Sequence, residues 1–78
     1  MRRDVFQAIA DPVRRDIIDL LVADQLTVNA IAEQFEISRP AISKHIKILH
    51  ECDLIVITQH GRERFCQIKP ERLFEIAD

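Results

Sequence analysis

Between Ser38 and Arg64 the sequence concentrates side chains suited to one kind of chemistry, hydrogen bonding and ion pairing with a polyanion. Arg39 and Lys44 carry donors that match the paired acceptors on a guanine edge, and Ser38 and Ser43 can serve either a base or a phosphate. Lys47, farther along the same segment, suits the sugar-phosphate backbone, and Arg62 and Arg64 add two guanidinium groups just past Gly61. Taken alone, Lys44 and Lys47 are equally well explained as a solvated helix face, and Arg62 and Arg64 as solubilising charges. The case rests on their combination.

A second set, His50, Cys52, His60 and Cys66, has the atoms of a metal site or a thiol switch. The two thiols lie fourteen residues apart with no CxxC spacing, which favours reduced cysteines, and nothing beside either one in the sequence depresses its pKa. Cys66 also shares strand parity with Ile68, which reads more simply as core. For catalysis the ingredients are missing: there is no glycine-rich phosphate loop, no convincing pair of nucleophile and base, and no paired-carboxylate cleft.

The elements that must position these groups follow from periodicity. Val5, Phe6, Ile9 and Ala10 recur at helical spacing, predicting a first helix from about Arg3 to Ala10. Asp11-Pro12 ends it and starts a second, since Asp is a good N-cap and Pro fits the first helical turn; Val13, Ile17, Leu20 and Leu21 form its inner face. Thr27 caps a third helix carrying Val28, Ile31, Ala32 and Phe35. After a short break at Glu36-Ile37, Ser38 caps a fourth, where Pro40 is tolerated because first-turn amides lack intrahelical partners. Its buried stripe is Ile42, Ile46 and Leu49, leaving Pro40, Ser43, Lys44, Lys47 and Glu51 pointing outward. His45 falls at the flank of that stripe, where packing with one hydrogen bond competes with a phosphate contact as its role. Arg14 and Arg15 are open too: solvated, paired with Asp11 and Asp19, or, for Arg15, near a phosphate.

From Leu54 the period changes. Leu54 to Thr58 is rich in β-branched residues, His60-Gly61 breaks the run, and Arg62 to Ile68 can return antiparallel as a hairpin. Lys69-Pro70 closes it, and Glu71 to Asp78 begins a last helix that is incomplete at residue 78. The fold class expected is mainly α with a small β-hairpin, a winged helix-turn-helix in one domain spanning 1–78. Such a fourth helix fits a major groove about 12 Å wide, with the hairpin as a wing along the neighbouring minor groove.

Charge distribution agrees. The net charge is −2, yet residues 1–37 carry −3 and 70–78 carry −2, while 38–69 carry +3 and all three histidines. A local basic patch, not the total, is what duplex binding needs. Apolar residues make up 47% of the 78, with one Gly and three Pro, so an ordered chain is expected. No apolar stretch approaches the roughly 20 residues of a membrane span, and Met1-Arg2-Arg3-Asp4 leads into no signal-peptide core, so a cytoplasmic location and no membrane partner are expected.

Three runs then carry a resemblance over nearly the whole chain: Phe6 to Ile18 (FQAIADPVRRDII), Ser38 to Leu49 (SRPAISKHIKIL) and Gly61 to Phe65 (GRERF). The second contains the pattern S-x-P-x-[IV]-S-x-H-[LI]. The sequence resembles the ArsR/SmtB family of winged-helix transcriptional repressors. That resemblance implies a homodimer built on the first and last helices, repression of a promoter, and operator contacts from the Ser38 to Lys47 helix and the wing. It also implies where metal ligands would stand. The thiolate pair of arsenic- and cadmium-sensing members aligns with Thr27 and Asn29, neither of which supplies a thiolate, and residues 70–78 hold no His for a zinc set on the last helix. The expected subset therefore lacks the usual metal ligands, with no cofactor, no metal and an unknown inducer.

The leading expectation is a metal-independent dimeric repressor of double-stranded operator DNA, with its own operon among the candidate targets. DNA contacts are assigned to Ser38, Arg39, Pro40, Ser43, Lys44, His45, Lys47, Arg62 and Arg64. The dimer interface is assigned to Val5, Phe6, Ile9, Leu73, Phe74 and Ala77, whose apolar surface exceeds what so small a core requires. Two alternatives stand beside it: a metal- or thiol-responsive repressor using His50, Cys52, His60 and Cys66, and a winged helix that docks proteins, for which a larger exposed apolar patch is expected.

Overall fold

The computed structural model describes residues 5–72. Its elements run α1 (Val5–Ile9), α2 (Pro12–Ala23), β1 (Leu26–Thr27), α3 (Val28–Glu33), α4 (Arg39–Glu51), β2 (Ile55–His60) and β3 (Glu63–Ile68), with helical backbone resuming at Pro70.

Three helices begin in the same way. Asp11, Thr27 and Ser38 hold extended backbone, and each side-chain oxygen accepts from the amide three residues on: Arg14 at 3.0 Å, Ala30 at 3.0 Å and Ala41 at 3.3 Å. Each such cap is worth about 1 kcal/mol relative to Ala. Asp11 accepts the Arg14 amide, and that bond holds its carboxyl below the ordinary value despite opposing partial burial.

The end of α4 is just as definite. The amide of Leu54 donates to the carbonyl of Leu49 (3.1 Å), that of Asp53 donates to His50 (3.0 Å), and Asp53 sits at φ 64°. This is a Schellman ending with Asp where Gly is usual. The left-handed conformation costs an L-residue about 1 kcal/mol, and the ion pair from Lys69 Nζ to the Asp53 carboxylate offsets part of it. The stop turns the chain so that Leu54 enters the core and β2 starts at once. Lys69 closes the hairpin by donating its amide to the Leu54 carbonyl (3.0 Å).

The hairpin is not two-stranded. β1 pairs antiparallel with β3, Leu26 opposite Cys66 and Thr27 opposite Phe65, giving a three-stranded sheet in the order β1-β3-β2. A two-residue strand has too little length to show periodicity, so it is invisible in the sequence pattern. The β2–β3 register runs from Ile55 opposite Ile68 to His60 opposite Glu63, around a two-residue turn of Gly61 and Arg62. Gly61 takes φ +62°, which a primed hairpin turn demands at its first loop position.

The core gathers Ile17, Ile31, Ile42, Leu49, Leu54 and Ile55 with both cysteines, all essentially solvent-free. The α4 stripe of Ile42, Ile46 and Leu49 is buried as its spacing predicts. On α2 the buried residues are Ile17, Ile18 and Leu21; Ile18 joins the expected inner face, while Leu20 and Val13 are half-buried.

Candidate nucleic-acid interface

Strand alternation decides what the sheet shows to the helices. Ile55, Ile57 and Gln59 of β2 share a face with Ile68, Cys66 and Arg64 of β3, in cross-strand pairs. Two of these pairs are apolar and pack on the core; the third, Gln59 with Arg64, extends beyond it. The same face therefore turns from apolar to basic as the wing leaves the body of the molecule, and Arg64 is directed to the side where α4 lies.

The result is a cleft of about 380 Å³ between α4 and the sheet. Arg39, Ser43, Lys47 and His50 come from successive turns of α4, Arg64 from β3, and Val28, Ile46 and Ile57 form the apolar part of the wall. A smaller hollow of about 80 Å³ adjoins it, sharing Val28, Arg39 and Arg64 and adding Thr27, Asn29, Arg62 and Glu63. Three permanent cations thus surround one concavity next to the exposed face of α4. Concentrated positive charge of this kind attracts phosphate, and the exposed face of α4 beside it carries further hydrogen-bond donors in Ser43 and Lys44.

Of the residues assigned to DNA, Ser38, Arg39, Pro40, Ser43, Lys44, Lys47, Arg62 and Arg64 are all exposed. Ser38 spends its hydroxyl on the helix cap. Lys44 stands outside the cleft, on the open surface of α4. His45 is turned away from it, with its side chain 20% exposed: Nδ1 lies 3.2 Å from Arg14 Nη1 and 3.9 Å from Asp11 Oδ2. The Arg14 guanidinium goes not to a carboxylate but to the end of α1, donating from Nε to the Ala8 carbonyl (2.6 Å) and from Nη2 to that of Gln7 (3.4 Å). This long-range contact had no signal in the sequence, where Arg14 and His45 stand 31 residues apart.

The four residues of the alternative metal or thiol site do not gather into one ligand set among the described residues. Cys52 and Cys66 are buried, free thiols, and burial pushes the Cys66 thiol up from its ordinary value. His50 lines the cleft, and His60 lies near the hairpin tip, edge-on to the Phe65 ring at 5.5 Å. Among the described residues no group of three or more His, Cys, Asp or Glu side chains is placed to hold a metal ion. Thr27 and Asn29 stand at the start of α3, Thr27 as its cap. Of the residues assigned to a dimer interface, Phe6 is 66% exposed and Val5 and Ile9 are half-buried, while Leu73, Phe74 and Ala77 lie outside the described residues. No helix among the described residues is long and apolar enough to cross a membrane.

Comparison with known proteins points the same way. The profile of the family described as bacterial regulatory protein, arsR family, matches residues 11–56. The transcriptional repressor SdpR of Bacillus subtilis is 47% identical over 62 residues, covering 80% of this chain and 67% of its own length. The HTH-type transcriptional regulator Rv2034 of Mycobacterium tuberculosis is 37% identical over 68 residues, covering 87% and 64% respectively. A crystal structure of an ArsR family transcriptional regulator superposes with a TM-score of 0.87 at 35% identity, over 92% of this chain and 79% of that one. The chain spans about two thirds of the length of the curated relatives it matches.

Proposed function

This chain belongs to the arsR family of bacterial regulatory proteins, and from that premise we propose that it represses transcription as a symmetric dimer, laying one α4 helix per protomer in successive major grooves of its operator. Its family consists of transcription regulators, not enzymes, and the relatives it matches are named a transcriptional repressor and an HTH-type transcriptional regulator. The observation that carries the geometry is the cationic cleft: Arg39 and Lys47 of α4 and Arg64 of the wing surround one concavity beside the exposed helix face. In this reading Arg39, Ser43 and Lys44 reach base edges, Lys47, Arg62 and Arg64 hold phosphates, and Ser38 and Pro40 set the helix start against the backbone.

Dimerisation follows from what one domain lacks. A single recognition helix spans too few base pairs to select a site in a genome, and Phe6, 66% exposed on α1, offers an apolar contact for a second copy, with Val5 and Ile9 beside it partly packed on the core. The two α4 helices would then read half-sites about 34–36 Å apart, roughly 10 base pairs. A chromosomal operator as partner implies a cytoplasmic protein. Metal sensing is not part of the proposal: Thr27 and Asn29 are poor ligands where thiolates would be needed, and Cys52 and Cys66 are committed to the core.

The test is a mobility-shift titration on DNA upstream of its own gene, combined with sedimentation and footprinting, with and without zinc, cadmium, arsenite and oxidant. Dimeric protection of a pseudo-palindrome, indifferent to the additions, is expected. A monomer at micromolar concentration protecting a single half-site would refute the dimer, and release of DNA by stoichiometric metal would refute the metal-independent reading.

A further inference from the structure

We propose that Arg14 is a positioning residue for DNA binding: its guanidinium holds His45 in the tautomer that carries the proton on Nε2, so that the imidazole becomes a hydrogen-bond donor to a backbone phosphate. This deepens the reading of α4 as the recognition helix and rests on it.

The argument begins with what a guanidinium can do. It has five N–H donors in a fixed plane, no acceptor, and a charge that persists at any pH of interest. Arg14 Nη1 faces His45 Nδ1 at 3.2 Å. Because the arginine can only donate, Nδ1 must accept, and a neutral imidazole whose Nδ1 bears the lone pair carries its proton on Nε2. Among the described residues, the nearby group that would favour a proton on Nδ1 is the Asp11 carboxylate. It stands 3.9 Å away, beyond hydrogen-bonding distance, and already accepts from the Arg14 amide at 3.0 Å. Geometry therefore favours arginine as the partner of Nδ1.

Arg14 is itself held in place. The last carbonyls of a helix lack intrahelical donors, and the guanidinium fills that need at the end of α1 through its bonds to Ala8 and Gln7. One plane of donors thus ties the end of α1, the start of α2 and the flank of α4. On the far side of the imidazole, Nε2 has no acceptor among the described residues, although the side chain retains 20% exposure. A donor oriented by its other nitrogen, at the flank of a helix whose outer face is basic, has the chemistry to bind a phosphate oxygen. The same ordering by a partner on the second nitrogen fixes metal-ligating histidines.

Two measurements decide the matter. The first is a two-bond 1H–15N correlation spectrum of the DNA-free chain at pH 8, with the His45 signals assigned by their loss in His45→Gln. A protonated Nε2 and an unprotonated Nδ1 are expected; a protonated Nδ1, or a mixture of tautomers, overturns the proposal. The second is a double-mutant cycle on operator binding. His45→Gln supplies an amide N–H near the Nε2 position and has no tautomer to select. Arg14→Gln should weaken binding about tenfold in the unaltered background and less than about threefold beside His45→Gln, as expected for one hydrogen bond to a charged group. Equal losses in both backgrounds overturn the proposal, since Arg14 would then act by another route. If Arg14→Gln does not fold, the tautomer in the unaltered chain decides alone. A chain that binds no duplex at all refutes the DNA reading and the proposal with it, whereas a protonated Nδ1 in a chain that binds DNA refutes the proposal only.

Discussion

Replacing Arg64 by Gln removes one charge from the cleft wall while keeping a polar side chain of similar reach, and its consequence can be worked from the structure. Five cations lie exposed on the α4 and wing surface, namely Arg39, Lys44, Lys47, Arg62 and Arg64. Each phosphate neutralised on B-form DNA contributes about −0.9 to the slope of log affinity against log salt. Three of the five, Lys47, Arg62 and Arg64, are assigned to phosphate, so two protomers bring about six such contacts and a slope of about −5.4, whereas a lone domain would give about −2.7. Arg64→Gln should make the dimer slope shallower by about 1.8. If variant and parent converge near 1 M salt, binding at 0.15 M falls about thirtyfold, or about 2 kcal/mol. Fluorescence anisotropy on a labelled duplex between 50 and 400 mM KCl measures this. Arg64 is exposed, shares the cleft with Arg39 and Lys47, and makes no described salt bridge. The melting temperature should accordingly hold or rise slightly as repulsion is relieved. An unchanged slope in a variant of unchanged stability would refute the placement of Arg64 against phosphate, and a parent slope of about −2.7 would refute the dimer as the binding species.

Other consequences are equally direct. Lys44→Ala should cost about 1–3 kcal/mol on the cognate site and relax its specificity, in contrast to Lys47→Ala, which should weaken all sequences alike; equal losses for Lys44→Ala on cognate and random DNA would reject base contact. Asp11→Ala should destabilise the fold by about 1 kcal/mol, lowering the melting temperature by about 4–8 °C, and Asp11→Asn by less because the cap acceptor remains. Because the folded state depresses the Asp11 pKa, its contribution is present above the ordinary carboxylate value and disappears as pH falls through the lower folded value, so parent and Asp11→Asn should converge in stability in that acid range. The Cys66 thiol, raised by burial, should resist alkylation at neutral pH until the chain is partly unfolded by urea, and labelling of the native protein at the rate of a free thiol would contradict its place in the core.

The parts of this protein that its sequence determined are those governed by neighbours within a turn or two. Asp11, Thr27 and Ser38 announce helix starts because a cap bonds an amide three residues away. Ile42, Ile46 and Leu49 announce the buried side of α4, and so its basic exposed side, because helical spacing settles both at once. Gly61 marks the hairpin turn through a backbone conformation other residues avoid.

Tertiary structure decided what depends on distant partners. β1 exists only because β3 offers an edge to Leu26 and Thr27; two residues have no pattern of their own. Asp53 takes a left-handed conformation that favours glycine, in a Schellman turn supported by an ion pair with a lysine 16 residues away. Arg64 shares a cleft with Arg39 and Lys47 through the β2–β3 register, and Arg14 meets His45 across 31 residues of chain. The residue types suited to a polyanion were therefore legible from composition and local periodicity. Their convergence on one concavity was not, because it depends on packing between segments whose separation along the chain carries no record of their proximity in space.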